Sequence, residues 1–306
     1  MPGDAAPPVS PRSAESDLEE LRRTIDSIDD RLHDLVVERA AVVERIGAAK
    51  RVVDDGETPV FVRPGREIGI LRRLLTRHKG PFPKSVIVRM WREMFAGTLA
   101  VQNPLSVAVC MPVRGAGYLE IARDQYGAYT RMEPVPTPGA VVRMVAEGMA
   151  TIGVLPLPML EEGQKWWTML VSDMIGTPRV ISRLPLCGIG PGRGDGAEAL
   201  SIGRMVQEPT GNDRTYLVVE TRPELSRVGL RTLVEQAGLP VQELVDTHEP
   251  PSGDRLHLLE LNDYVAPDDK RVSMLSVDAQ VTRAVIVGGY AVPFTAEDLA
   301  TAEDLA

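Results

Sequence analysis

Between Ser16 and Arg51 the apolar residues recur three and four positions apart: Leu18, Leu21, Ile25, Ile28, Leu32, Leu35, Val36, Val42, Val43 and Ile46. No Pro or Gly interrupts the series before Gly47. The pattern predicts one long amphipathic helix, with Ser16-Asp17-Leu18-Glu19 reading as a capping box at its start. Such a helix spans about 50 Å at 1.5 Å per residue. A lone domain of about 90 residues is narrower than that, so the helix is expected to pack against a second copy of the chain. Two further helices are predicted, over about Gly65 to His78 and about Pro83 to Gln102. The polar turn Asp54-Asp55-Gly56 and Pro59 set the first of these off from the long helix.

Past Asn103-Pro104 the pattern switches. LSVAV, ATIGVLPLP, PRVISRLPL, TYLVVE and TRAVIVGGYAVP are short β-branched runs bounded by Gly and Pro, and read as strands. Helical stretches at Gly139 to Glu147 and Pro223 to Ala237 lie between them, so an α/β or α+β region is expected. At the two ends, residues 1–15 are rich in Pro, Ala and Ser and are expected to be a disordered leader. Residues 295–306 are a tandem TAEDLA duplication, a low-complexity tail to which no chemistry is assigned.

Certain polar residues sit on the wrong face of the predicted helices. Arg39 lies four after Leu35 and three before Val42, in the apolar stripe itself. Lys50 continues that stripe four after Ile46, and Arg22 lies at its edge. On the second helix Glu67 is three and four before Ile70 and Leu71, with Arg66 beside it. On the third, Thr98 and Gln102 follow Met90, Trp91 and Met94 along one side. A buried cation without a partner costs several kcal/mol, so one arginine on an apolar stripe is read equally well as a side chain that snorkels or pairs with Asp29 or Glu38 and as a group that meets an acidic ligand. Three cations joined by Glu, Thr and Gln on three inner faces instead describe a polar, net-positive cavity suited to a small dianion.

Composition narrows the classes. With 34 basic and 43 acidic residues the net charge is −9, against nucleic-acid binding. No run approaches the roughly 20 apolar residues that span a bilayer, and the first residues lack the basic and apolar regions of a signal peptide. Cys110 and Cys187 make no disulfide framework, and the four histidines are not in ligand spacing, so no metal site is expected. The census reads as a cytoplasmic protein.

The run LEELRRTIDSIDDRLHDLVVERAAVVERIGAAK, then RPGRE, then WREMFAGTLAVQ closely resembles the all-helical chorismate mutase family over residues 16–103. The resemblance implies an intertwined helical homodimer that converts chorismate to prephenate. It implies that Arg22, contributed across the dimer, and Arg39, within the chain, hold the substrate carboxylates. Lys50 and Gln102 match the pair on the ether oxygen. Glu67, next to Arg66, matches the acceptor for the ring hydroxyl. Thr98 stands where the family often has Ser, and Arg63 where some members place an acid.

Residues 104–212 resemble a reduced prephenate dehydratase region, and 213–294 a ferredoxin-like ACT-type region with the order βαββαβ. GYLEIARDQYG and VRMVAEGMATIGVLPLP carry the first likeness; RLHLLELNDYV and AVIVGGYAVP carry the second. The dehydratase motifs are replaced: Met111-Pro112-Val113-Arg114-Gly115 stands for the opening motif, Leu157-Pro158 for the Glu-Asn pair, and Arg214-Thr215-Tyr216 is at best a remnant of Thr-Arg-Phe. TYLVVE is alternatively the first ACT strand. The second lobe is reduced to little more than LCGIGPGRGDG, which reads as a connection rather than a phosphate loop. The stretches matching the phenylalanine-binding motifs read Arg227-Val228-Gly229-Leu230 and Asp246-Thr247-His248-Glu249-Pro250, so neither is kept. Trp166-Trp167 is expected in the core or at an interface. The expected fold is thus α plus α/β, and the expected activity a mutase with an inactive dehydratase-like extension. The alternatives are a bifunctional mutase–dehydratase and a non-enzymatic sensor of aromatic amino acids.

Overall fold

The computed structural model describes residues 11–53, 61–111, 117–158, 164–172, 174, 176–188, 197–251 and 253–300. The chain divides into two compact units, Met1–Pro59 and Val60–Ala306.

The first unit is α1, Pro11–Val53, a helix of 43 residues and about 64 Å. It begins inside the stretch expected to be a leader, because Pro is compatible with a first helical position and nothing after it breaks the helix. The expected cap at Ser16 is therefore interior helix, and residues 1–10 lie outside the described residues. So does the Asp54-Asp55-Gly56 turn.

The second unit starts with α2 (Pro64–Arg77) and α3 (Lys84–Gln102). They bury Ile68, Leu71, Leu75, Val88 and Phe95 in a cluster that also takes in Leu186, Ala291 and Phe294. That shared core is why the two units part at Pro59 rather than at the Asn103-Pro104 change of pattern. There follow β1 (Ser106–Cys110), α4 (Gly117–Tyr126), β2 (Arg131–Val135), α5 (Pro138–Ala146), β3 (Ile152–Pro156), a short 3-10 helix (Trp166–Leu170), β4 (Arg179–Leu184) and β5 (Ala199–Gly203). The chain continues through β6 (Asp213–Thr221), α6 (Arg227–Gln236), β7 (Val241–His248), β8 (Arg255–Leu261), α7 (Lys270–Leu275), β9 (Val281–Ala291) and α8 (Ala296–Leu299). Thr137, Ser226 and Asp269 cap α5, α6 and α7 with their side chains. The first TAEDLA copy forms α8 with a complete capping box at Thr295, and the second copy lies outside the described residues.

Among the described residues the strands form one nine-stranded sheet, ordered β2-β1-β3-β5-β4-β9-β6-β8-β7. Its first part is mixed: β1 is parallel to β2 and β3, while β5 is antiparallel to β3 and β4. Its second part, β6-α6-β7-β8-α7-β9, has strand order β9-β6-β8-β7 with antiparallel neighbours, the expected βαββαβ topology. TYLVVE is therefore the first strand of that region. Period-two alternation sends Tyr216 and Val218 to one face and Leu217 and Val219 to the other. One face carries a core shared by both parts, from Val141 of α5 through Trp166 and Trp167 to Leu258. Both tryptophans are core.

The two parts join where Val180 of β4 pairs in parallel with Gly288 of β9. Gly288 has φ +116°, and a Cβ there would lie 2.3 Å from the backbone N and O of Val180. Only glycine fits. Beside the join Arg183 donates from Nε and Nη2 to Glu198, 3.2 Å each, and from Nη1 to the Tyr290 hydroxyl at 3.2 Å. Tyr290 donates in turn to buried Glu260 at 2.5 Å.

Candidate functional site

The seven residues singled out from the sequence are divided between the two units. Arg22, Arg39 and Lys50 are on α1. Arg22 is exposed, whereas Arg39 and Lys50 are half-buried. Around Arg39 the apolar residues of α1 remain open: the side chains named from Leu18 to Ile46 in its stripe, Val43 aside, are 42–59 % exposed.

Arg66 and Glu67 sit in the first turn of α2, Thr98 and Gln102 near the end of α3. Arg66 is exposed and Gln102 half-buried. The Thr98 hydroxyl donates back to the carbonyls of Met94 and Phe95, at 2.9 and 3.0 Å. The structure brings Glu67 together with a residue that the sequence pattern did not single out. Arg92 Nη1 donates to Glu67 Oε2 at 2.6 Å, with the two side chains 4 % and 17 % exposed. This is a short, charge-assisted bond. Its signal was present in the sequence: Arg92 lies four after Val88 and three before Phe95, the buried positions of α3. Like Arg39, it is a cation within an apolar stripe.

The α2–α3 pair is fastened to the sheet. Arg72 donates from Nη1 to the carbonyl and hydroxyl of Thr210, 2.9 Å each, and from Nη2 to the Asn212 carbonyl at 3.1 Å. Arg63, at the N-cap of α2, donates to Glu208 from Nε at 2.9 Å. The Glu93 carboxylate on α3 accepts the Ala128 amide at 3.2 Å, just beyond Gly127 at the end of α4. The helices that carry Arg66, Glu67, Thr98 and Gln102 are thus tied to the sheet by side-chain hydrogen bonds.

The dehydratase-like motif positions hold the fold together. Thr215 is fully buried, its hydroxyl donating to the Asp263 carbonyl at 2.8 Å and accepting the Val265 amide at 3.0 Å. The Arg214 guanidinium donates to the Asp213 carbonyl at 3.2 Å. Asp246 accepts from Lys165 at 2.8 and 2.9 Å and from the Trp167 indole at 2.9 Å. Residues 112–115 and the greater part of the LCGIGPGRGDG stretch lie outside the described residues. His257, 1 % exposed, stands between the Thr221 and Thr247 hydroxyls at 3.2 and 3.1 Å. Burial first, then the Arg227 and Arg255 cations, hold its pKa down to about 4, so it is neutral at neutral pH.

Among the described residues no group of three or more His, Cys, Asp or Glu could hold a metal ion. No described helix is long and apolar enough to cross a membrane.

Residues 21–103 match the family model for chorismate mutase type II. A bifunctional chorismate mutase/prephenate dehydratase of Pseudomonas aeruginosa is 34 % identical over 147 residues, 48 % of this chain and 40 % of that one. A protein of the same description from Neisseria gonorrhoeae is 30 % identical over 167 residues, 55 % of this chain and 42 % of that one. The chain thus spans about two fifths of the length of these relatives. Among solved structures, a prephenate dehydratase from Streptococcus mutans aligns with a TM-score of 0.44 at 12 % identity, covering 62 % of this chain and 98 % of that one.

Proposed function

We propose that this chain, whose residues 21–103 match chorismate mutase type II, is a homodimeric, cytoplasmic chorismate mutase that needs no cofactor. The observation that carries the reading is that the matched segment contains all of Arg22, Arg39, Lys50, Arg66, Glu67, Thr98 and Gln102, in order on three helices. Chorismate is a dicarboxylate whose rearrangement is a unimolecular pericyclic shift, with neither nucleophile nor proton transfer. Catalysis then consists of holding the compact conformer and stabilising the charge that builds on the ether oxygen. Arg39 and the partner's Arg22 clamp the carboxylates. Lys50 and Gln102 donate to the ether oxygen, and Glu67 accepts from the ring hydroxyl. Because Gln102 does not titrate, turnover stays flat across neutral pH. The exposed apolar stripe of α1 supports the dimer, since each of its half-open side chains has about 1 kcal/mol of burial still to gain.

A bifunctional mutase–dehydratase is the second reading, favoured by the description of the relatives. The burial of Thr215 within β6 speaks for the first reading, with the sheet region a structural or regulatory extension. Purified protein incubated with chorismate at neutral pH separates them. The first reading expects prephenate to accumulate without phenylpyruvate, and this to vanish in Arg39→Ala. Phenylpyruvate formed faster than prephenate decays would establish the second. No turnover at all would sink both and bring forward the reading as a sensor of aromatic amino acids.

A further inference from the structure

Beside Arg92 the second unit holds a half-open cavity of about 280 Å³ between α3, α4 and the turn after β4, lined by none of the seven residues of the mutase reading. That is close to the lower end of small-ligand sites, about 300 Å³, and has room for a benzene ring with a short acid arm. Val88, Ile121, Pro185 and Leu186 give it apolar walls. Gln125 adds an amide, and the Arg89–Asp124 ion pair, 3.6 Å apart, stands at its exposed side.

Arg92 decides what this cavity takes. Its side chain is only 4 % exposed, Nη1 is held by Glu67, and Nε is buried with no hydrogen-bond partner. An unsatisfied buried donor costs about 1–3 kcal/mol. An acceptor brought in by a ligand recovers that loss, and a guanidinium prefers the two-oxygen acceptor of a carboxylate.

We propose that the cavity binds a small aryl or alkyl monocarboxylate, its apolar body against Val88, Ile121 and Leu186 and its carboxylate on Arg92, in competition with Glu67. The cation is shared: a ligand that draws Arg92 toward the cavity loosens the bond that orients Glu67. The link to catalysis rests on the proposed role of Glu67 in the mutase reaction; the site itself does not. By reciprocity of coupling, whatever removes Glu67's claim on Arg92 must tighten the ligand.

The test is calorimetry on the full chain with 3-phenylpropionate, its neutral amide as control. The acid is expected to bind one to one, and the amide at least about tenfold more weakly. Ser85→Trp, which fills the rim, is expected to abolish binding; Arg39→Ala, in the chorismate site, to leave it intact. Glu67→Gln is expected to tighten it severalfold, a readout independent of turnover. With chorismate as substrate, occupancy of the site is expected to raise KM severalfold. Equal binding of acid and amide, binding that survives Ser85→Trp, or an affinity unmoved by Glu67→Gln would overturn the proposal. A chain that shows the expected binding pattern but no turnover would refute the mutase reading and leave the site standing.

Discussion

Along α1 the side chains of Leu21, Ile25 and Leu35 are 57–59 % exposed, whereas Ile152, Leu217 and Val219 on the sheet are completely covered. The same contrast holds for polar groups. In the sheet unit, buried Thr215, His257 and Tyr290 each have partners within that unit. On α1, Arg39 lies within the apolar stripe and Lys50 continues it beyond Ile46, and most of the named apolar side chains of that stripe are exposed. A unit that closes its own surface uses polar residues as pins. A helix whose apolar stripe stays open has burial still to gain against a further surface, and the proposed dimer draws on that gain. The difference separates a helix whose apolar side chains stay open from a sheet unit that covers its own.

The largest effect is expected where that openness is attacked. Ile25→Asp with Leu32→Asp puts two carboxylates into the α1 stripe, each costing about 2–3 kcal/mol on association. Sedimentation should show the dimer dissociating at least about a thousandfold more readily, while the sheet unit keeps its melting transition. A dimer that persists would mean that α1 is not its interface. Next in size is Lys50→Ala, expected to lower the kcat for chorismate by about a hundredfold or more with the fold intact; near-normal turnover would remove Lys50 from the reaction.

On the other side of the comparison, Gly288→Ala strikes the join between the two parts of the sheet. With φ +116° and Val180 backbone atoms 2.3 Å from the added carbon, the strands must separate locally. The expected loss is about 2–3 kcal/mol, a fall in Tm of about 4–12 °C, and an unchanged Tm would show that the join carries no stability. The smallest effect concerns His257. Unfolded, its imidazole titrates near the ordinary 6.5; folded, near 4. Between these values the unfolded chain takes up the proton first, so this contribution to stability is complete above pH 6.5 and shrinks as pH falls toward 4. His257→Gln should remove about 1–2 kcal/mol of that pH dependence in urea titrations. An unaltered slope would assign it to other groups.

The helical half was legible because α2 and α3 announce themselves by period, and so were β1, β3, β4, β6 and β9, which are runs of β-branched residues. β2 was not: it is an edge strand with largely exposed side chains and Pro134 as its last residue but one, a pattern that argues against a strand. β5 reads ALSIG, fully buried but only five residues long, with Ala, Ser and Gly alternating with Leu200 and Ile202. The start of α1 was hidden because Pro-rich composition outweighs Pro11's fitness as a first helical residue. Long-range relations were also out of reach. Nothing local says that Gly288 must meet Val180, or that α2 and α3 share a core with Phe294. Arg92 is a different case, since its position in the α3 stripe was visible and only its partner, Glu67, was not.

Whether α1 completes a site shared by two chains is tested most directly by complementation. Co-expressed, differently tagged Arg22→Ala and Arg39→Ala chains form mixed dimers in which one site has both arginines intact. Each parent alone should be nearly inactive, and a random mixture should recover about a quarter of the wild-type chorismate turnover, since half of the dimers are mixed and each has one good site. Activity of purified mixed dimers no higher than that of the parents would contradict the shared site.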